Sequence, residues 1–67
     1  MIRVAVTTSD YDVRSVRAYL PSNYQAFESR AFPGRILIAG NDRAGWTLDD
    51  YVLPRLASGL IAAEELS

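Results

Sequence analysis

Chemistry in this sequence is left to carboxylates, arginines and tyrosines, because the chain has no histidine, no cysteine and no lysine. The missing atoms exclude a Ser-His-Asp triad, a Cys-His pair and the usual structural zinc sites. They also exclude a Schiff-base lysine and a Walker A loop. Neither GxGxxG nor GxSxG occurs. The expectation is a protein that is not an enzyme and that carries no cofactor and no metal.

Five groups of residues could still bind something. Asp10 and Asp12 stand where a helix should begin and could hold a hard cation, but two carboxylates are fewer than a calcium loop provides. Capping the helix is the commoner role for such residues. Asp49 and Asp50 invite the same two readings. The loop Gly40-Asn41-Asp42-Arg43-Ala44-Gly45 could cradle an anion on its amides before the next helix, or simply connect two elements, as loops of this composition do. Arg14 and Arg17, with Tyr11 and Tyr19, could stack on RNA or form a solvated helix face. Trp46, just before the last helix, could pack against Leu53 or the neighbours of Asp50. It could equally anchor a partner, since Trp, Tyr and Arg are enriched in binding hot spots. The candidate partner-binding residues are therefore Trp46, Arg43, Asn41 and Asp42.

The elements that must position these residues follow from periodicity and turn chemistry. Ile2 to Thr7 alternates as a strand, with Ile2, Val4 and Val6 on one side and Arg3, Ala5 and Thr7 on the other. Ser9-Asp10-Tyr11-Asp12 resembles a capping box for a helix that runs to Leu20 and turns Val13, Val16 and Leu20 inward. The Val and Tyr content of Val13 to Leu20 also suits a strand. Asp10 and Arg14, four apart, are placed for an ion pair. Pro21 ends the helix and Ser22-Asn23 turn the chain.

Tyr24 to Ala31 reads as the second strand. Phe32-Pro33-Gly34-Arg35 predicts a type II turn, with proline presetting φ and glycine accepting a positive φ. Ile36 to Ala39 is a third strand, apolar throughout, and such a run belongs in the centre of a sheet. Gly45 to Leu66 carries the longest helical pattern, with Thr47 as N-cap and Asp49 and Asp50 in the first turn. Leu48, Val52, Leu56, Leu60 and Ala63 form its stripe, which Leu53, Ala57 and Ile61 widen beyond the arc of an ordinary surface helix. Leu56 and Leu60 are expected in the core. Pro54 should kink this helix or start a second one there. Gly59 falls in the stripe, so another backbone is expected to approach it.

The predicted architecture is one α+β domain over residues 1–67, ordered β-α-β-β-α. Its three-stranded mixed sheet has order 1-3-2, with the third strand antiparallel to both neighbours and both helices on one face. The other face would carry Ile36 and Ile38, or Leu37 and Ala39, with nothing in one chain left to cover it. At 67 residues and 49% hydrophobic composition, a chain without disulfides has a marginal core, and association is a common remedy. A homodimer is therefore expected. A net charge of −1 argues against a binder dominated by phosphate contacts. No apolar run has the length of a membrane span and the N-terminus lacks a signal-peptide core, so a cytoplasmic location is expected.

The segment GWTLDDYVLPRLASGLIAAEEL, with the upstream YLPSNY, resembles small proteins encoded by actinobacterial phages and their hosts. The arginine-only composition fits such genomes. The resemblance carries over no activity and no site residues. It implies a small phage accessory protein that binds something in the host cytoplasm. The reading from the residues is a module that self-associates and binds a host protein. Its alternative is a nucleic-acid-binding accessory protein that uses the Arg14/Arg17 helix.

Overall fold

The computed structural model describes residues 1–66. Strand β1 (Arg3–Thr7) leads through a loop to helix α1 (Val13–Arg17), then to β2 (Tyr24–Glu28) and β3 (Ile36–Gly40). A π-helical turn, Leu48–Val52, runs directly into helix α2 (Leu53–Ser58), and the chain returns as a short strand, β4 (Ala63–Glu65). The sheet order is β2-β3-β1-β4, and every adjacent pair is antiparallel. The expected order 1-3-2 is kept by β1, β3 and β2 in this sheet. One expectation is corrected: a fourth strand lies beyond β1 and pairs antiparallel with it, so the sheet is antiparallel throughout rather than mixed. As expected, β3 runs antiparallel to both of its neighbours and separates the co-directional β1 and β2.

Local signals explain most boundaries. Helix α1 is capped by Asp12, whose carboxylate accepts from the Arg14 and Ser15 amides at 3.1 and 3.3 Å. The capping box beginning at Ser9 is thus displaced to Asp12, and the helix is one turn shorter than the run to Leu20. Asp10 does not pair with Arg14; it meets Arg35 at 3.3 Å across the β2–β3 turn. That turn forms as expected, with the Arg35 amide on the Phe32 carbonyl at 2.9 Å and Gly34 at φ 85°.

The C-terminal third departs most from its pattern. The Val52 amide reaches back five residues to the Thr47 carbonyl, and Leu53 likewise to Leu48. Proline at 54 clashes with a carbonyl four residues upstream in a regular helix, and the wider π turn relieves that crowding. The helix then restarts with Pro54 in its first turn. It ends at Ser58 rather than Leu66. Ile61 donates to the Leu56 carbonyl and Leu60 to Ala57, with Leu60 at φ 64°. These two nested bonds are a Schellman stop, in which the left-handed residue is usually glycine. Leu60 fills that position and is 87% exposed, so its expected core placement is overturned. Ile61, the next residue, is buried with Leu56. Gly59 lies one residue earlier, where a Cβ would come within 2.3 Å of the Tyr19 ring. A ring, not a backbone, makes the close approach there.

Ala5, Tyr24, Ala26, Ile36 and Ile38 from the sheet pack with Val16, Leu48, Val52 and Leu56 from the helical segments. Both helices therefore cover one face, as expected. Each fully buried aliphatic side chain contributes about 1.5–3 kcal/mol. The register aligns Ala5, Ile38 and Ala26 across this face. The more polar side of β1 is thus the covered one. Thr7 tolerates burial because its hydroxyl donates to the Ser9 carbonyl and accepts from the Ile36 amide. The other face carries Val6, Leu37 and Phe27 in one row and Val4, Ala39 and Gln25 in the next. No helix lies over this second face. Ile2 is 68% and Phe27 47% exposed.

Candidate functional site

The loop between β3 and the π turn is held from behind by two side chains. Asn23 donates its amide to the carbonyls of Asn41 and Trp46, at 2.8 and 2.9 Å. Asp42 accepts from the Tyr24 hydroxyl at 2.6 Å, from the Leu48 amide at 2.9 Å and from Arg3 at 2.8 Å. These bonds hold the Asp42 carboxyl well below its ordinary range, at about 2, with the Tyr24 hydroxyl as the largest cause. Burial, followed by the same hydrogen bond, raises the Tyr24 phenol. The amide at the start of the π turn is thus taken by the protein's own carboxylate, and the loop is not an open anion cradle.

Arg3 is the centre of this arrangement. Its guanidinium also meets Glu65 at 2.6 Å and Asp49 at 3.1 Å. It therefore ties together β1, the loop, the π turn and β4. The Glu65 contact is the main cause that raises Arg3 further and lowers Glu65. This network lacks a local sequence signal: Arg3 looks like the polar side of a strand, and its three partners are scattered along the chain.

Ahead of Asp42 and Asn23, residues 43–46 form a tight hairpin. Trp46 donates to the Arg43 carbonyl at 2.8 Å and Arg43 donates back to Trp46 at 3.3 Å, with Gly45 at φ 84°. Trp46 is 41% exposed. The Arg43 guanidinium lies over its ring, 5.9 Å from the centroid. The ring meets Tyr51 at 6.3 Å in a tilted arrangement, and Arg55 lies over Tyr51 at 5.8 Å. Arg43, Trp46, Tyr51 and Arg55 are thus linked by successive contacts as cation, ring, ring, cation. Each cation–ring contact is within the distance at which such pairs attract.

Of the candidate partner-binding residues, Trp46 and Arg43 are brought together and exposed. Asn41 and Asp42 are bound into the support behind them. Tyr51 and Arg55 are not among the candidate residues, although their spacing of four on a helix is a usable signal. The contact of Trp46 with Tyr51, a neighbour of Asp50, is the staple across the Thr47 cap that the sequence offered as one reading of Trp46.

Most of the other candidates are engaged in structure; Arg14 is exposed and makes no ion pair among the described residues. Tyr11 donates to the Leu60 carbonyl and accepts from the Ala62 amide. Tyr19 packs on Gly59. Arg17 donates to the Ala26 carbonyl of edge strand β2 at 3.3 Å. Asp10 and Asp12 serve Arg35 and the α1 cap, and the described residues contain no group of three or more metal-ligand side chains. A cleft of about 390 Å³ lies between the start of α1 and the β2–β3 turn, lined by Tyr11, Glu28, Ser29 and Arg35 among others. No helix among the described residues is long and apolar enough to cross a membrane.

Comparison of the chain with protein-family models, curated proteins and solved structures gives no match.

Proposed function

We propose that this protein is a non-enzymatic interaction module that pairs with a second copy of itself and presents the Arg43–Trp46 hairpin to a protein partner. The observation that carries the reading is the open face of the sheet, where Ile2, Val4, Leu37, Ala39 and Phe27 have no helix over them. A standard interface takes about 800 Å² from each partner. That is under a fifth of the 4358 Å² surface of this chain, so one face of the molecule is sufficient. Two-fold pairing is the commonest way to satisfy such a face. The setting suggested by the resemblance is a phage accessory protein in a host cytoplasm, acting on a host protein.

The nucleic-acid reading has less support. Tyr11 and Tyr19 are packed and hydrogen-bonded rather than free to stack on bases, and Arg17 is engaged with β2. Net charge is −1, which gives little phosphate affinity.

Light scattering at micromolar concentration should give twice the mass of one chain. Phe27→Glu, at an exposed position of the open face, should return it to a folded monomer. A wild-type mass that stays monomeric as concentration rises would refute the pairing.

A further inference from the structure

We propose that Arg43, Trp46, Tyr51 and Arg55 form a track for an extended segment of another protein that bears carboxylates at both ends and apolar side chains between them. The inference rests on the reading of the hairpin as a partner-binding site and adds the chemistry of the partner.

Spacing is the first argument. The three steps of the track are 5.9, 6.3 and 5.8 Å. Alternate side chains on one side of an extended strand are about 6.8 Å apart. Step for step, the four track residues can therefore be met by side chains at positions one, three, five and seven of an extended peptide. The central pair are rings, which suit apolar side chains. The outer pair are guanidiniums, which suit carboxylates.

Availability is the second argument. Among the described residues, neither Arg43 nor Arg55 is in an ion pair. Each is steadied over a ring, which leaves the N–H edge of its guanidinium for an acid. Trp46 is held from behind by Asn23, so little order has to be gained on binding.

Charge separates a peptide from a nucleic acid. Asp42 and Asp49 share the single guanidinium of Arg3 with Glu65, which leaves excess negative charge beside the track. Asp50 lies next to Tyr51 in the chain. A continuous phosphate backbone would meet these carboxylates, whereas two isolated acids would meet only the track's ends. A second copy of this chain does not fit, because no two of its acids are six residues apart.

Trp46 is the only tryptophan, so its emission reports on this site alone. The probe is a capped seven-residue peptide with glutamates at positions one and seven, leucines at three and five, and serines elsewhere. Titration should shift the Trp46 emission saturably. Replacing both glutamates by lysine, or using an Arg43→Glu, Arg55→Glu protein, should weaken binding at least about tenfold. Arg30→Glu, at the opposite end of the β2–β3 pair from the hairpin, should leave it unchanged. No saturable shift, or equal binding of the lysine peptide, overturns the proposal. Stronger binding of oligothymidylate overturns it in favour of single-stranded nucleic acid. If the peptide fails but Trp46→Ala, still folded, loses a partner captured from lysate, only the proposed peptide chemistry is wrong. If a folded Trp46→Ala, Arg43→Ala protein keeps that partner, the site itself is wrong.

Discussion

Leu56 and Leu60 belong to one apolar stripe in the sequence, yet they occupy opposite environments in the fold. Leu56 is fully buried and Leu60 is 87% exposed. Truncating Leu56 to alanine removes three buried carbons, worth roughly 2.5 kcal/mol of transfer free energy. The cavity left behind raises the loss to about 3–4 kcal/mol. A chain of this length has a stability of roughly 3–10 kcal/mol, so Leu56→Ala should lower the melting temperature by about 12–30 °C or unfold the domain. Leu60→Ala should change stability by no more than about 0.5 kcal/mol. Leu60→Gly should raise stability by about 0.5–1 kcal/mol, because the residue sits at φ 64°, a conformation glycine adopts without strain. The assay is thermal and urea unfolding followed by circular dichroism, with all variants at one protein concentration because the proposed pairing would add to apparent stability. If Leu60→Ala costs as much as Leu56→Ala, the helix continues past Ser58 and the chain reversal at Leu60 is wrong.

The Asp42 network should make the protein acid-sensitive. A carboxyl held at about 2 when folded and near 4 when unfolded contributes stability that is complete above about pH 4 and is lost as the pH falls towards 2. Asp42→Asn should flatten the fall in melting temperature across that window, and an unchanged slope would assign the acid response elsewhere. Gly59→Ala should cost about 1–3 kcal/mol through overlap with Tyr19, and adding Tyr19→Leu should recover most of the loss in the same melts. Association through the sheet face and binding along the aromatic track have their own expected outcomes above, read by light scattering and by Trp46 emission.

The sequence by itself determined the signals that act over a few residues. The turn at Pro33-Gly34, the Thr47 cap with its 3.1 Å bond to the Asp50 amide, and the break of the last helix at Pro54 are properties of neighbouring atoms. They formed as those atoms require. The apolar run of β3 also led to a central strand and to a sheet face that no helix covers. Exposure of Trp46 beside Arg43 is one of two readings of the sequence, and in the fold the ring is both 41% exposed and in contact with Tyr51. Only the tertiary structure decided where the last helix stops. The helical periodicity of Leu56 to Ala63 is real, but Val4 to Thr7 offered an open strand edge, and three residues, Ala63–Glu65, gained backbone hydrogen bonds by pairing with it. That gain, together with the burial of Ile61 on Leu56, outweighs a strained leucine at position 60. The face of β1 turned inward was likewise decided at long range. Arg3 has Asp42, Asp49 and Glu65 to meet at the rim of the covered face, and Thr7 has hydrogen-bonding partners within it. Pairings between residues 39 to 62 positions apart leave no periodicity in a chain, so they become visible only when the backbone has brought their ends together.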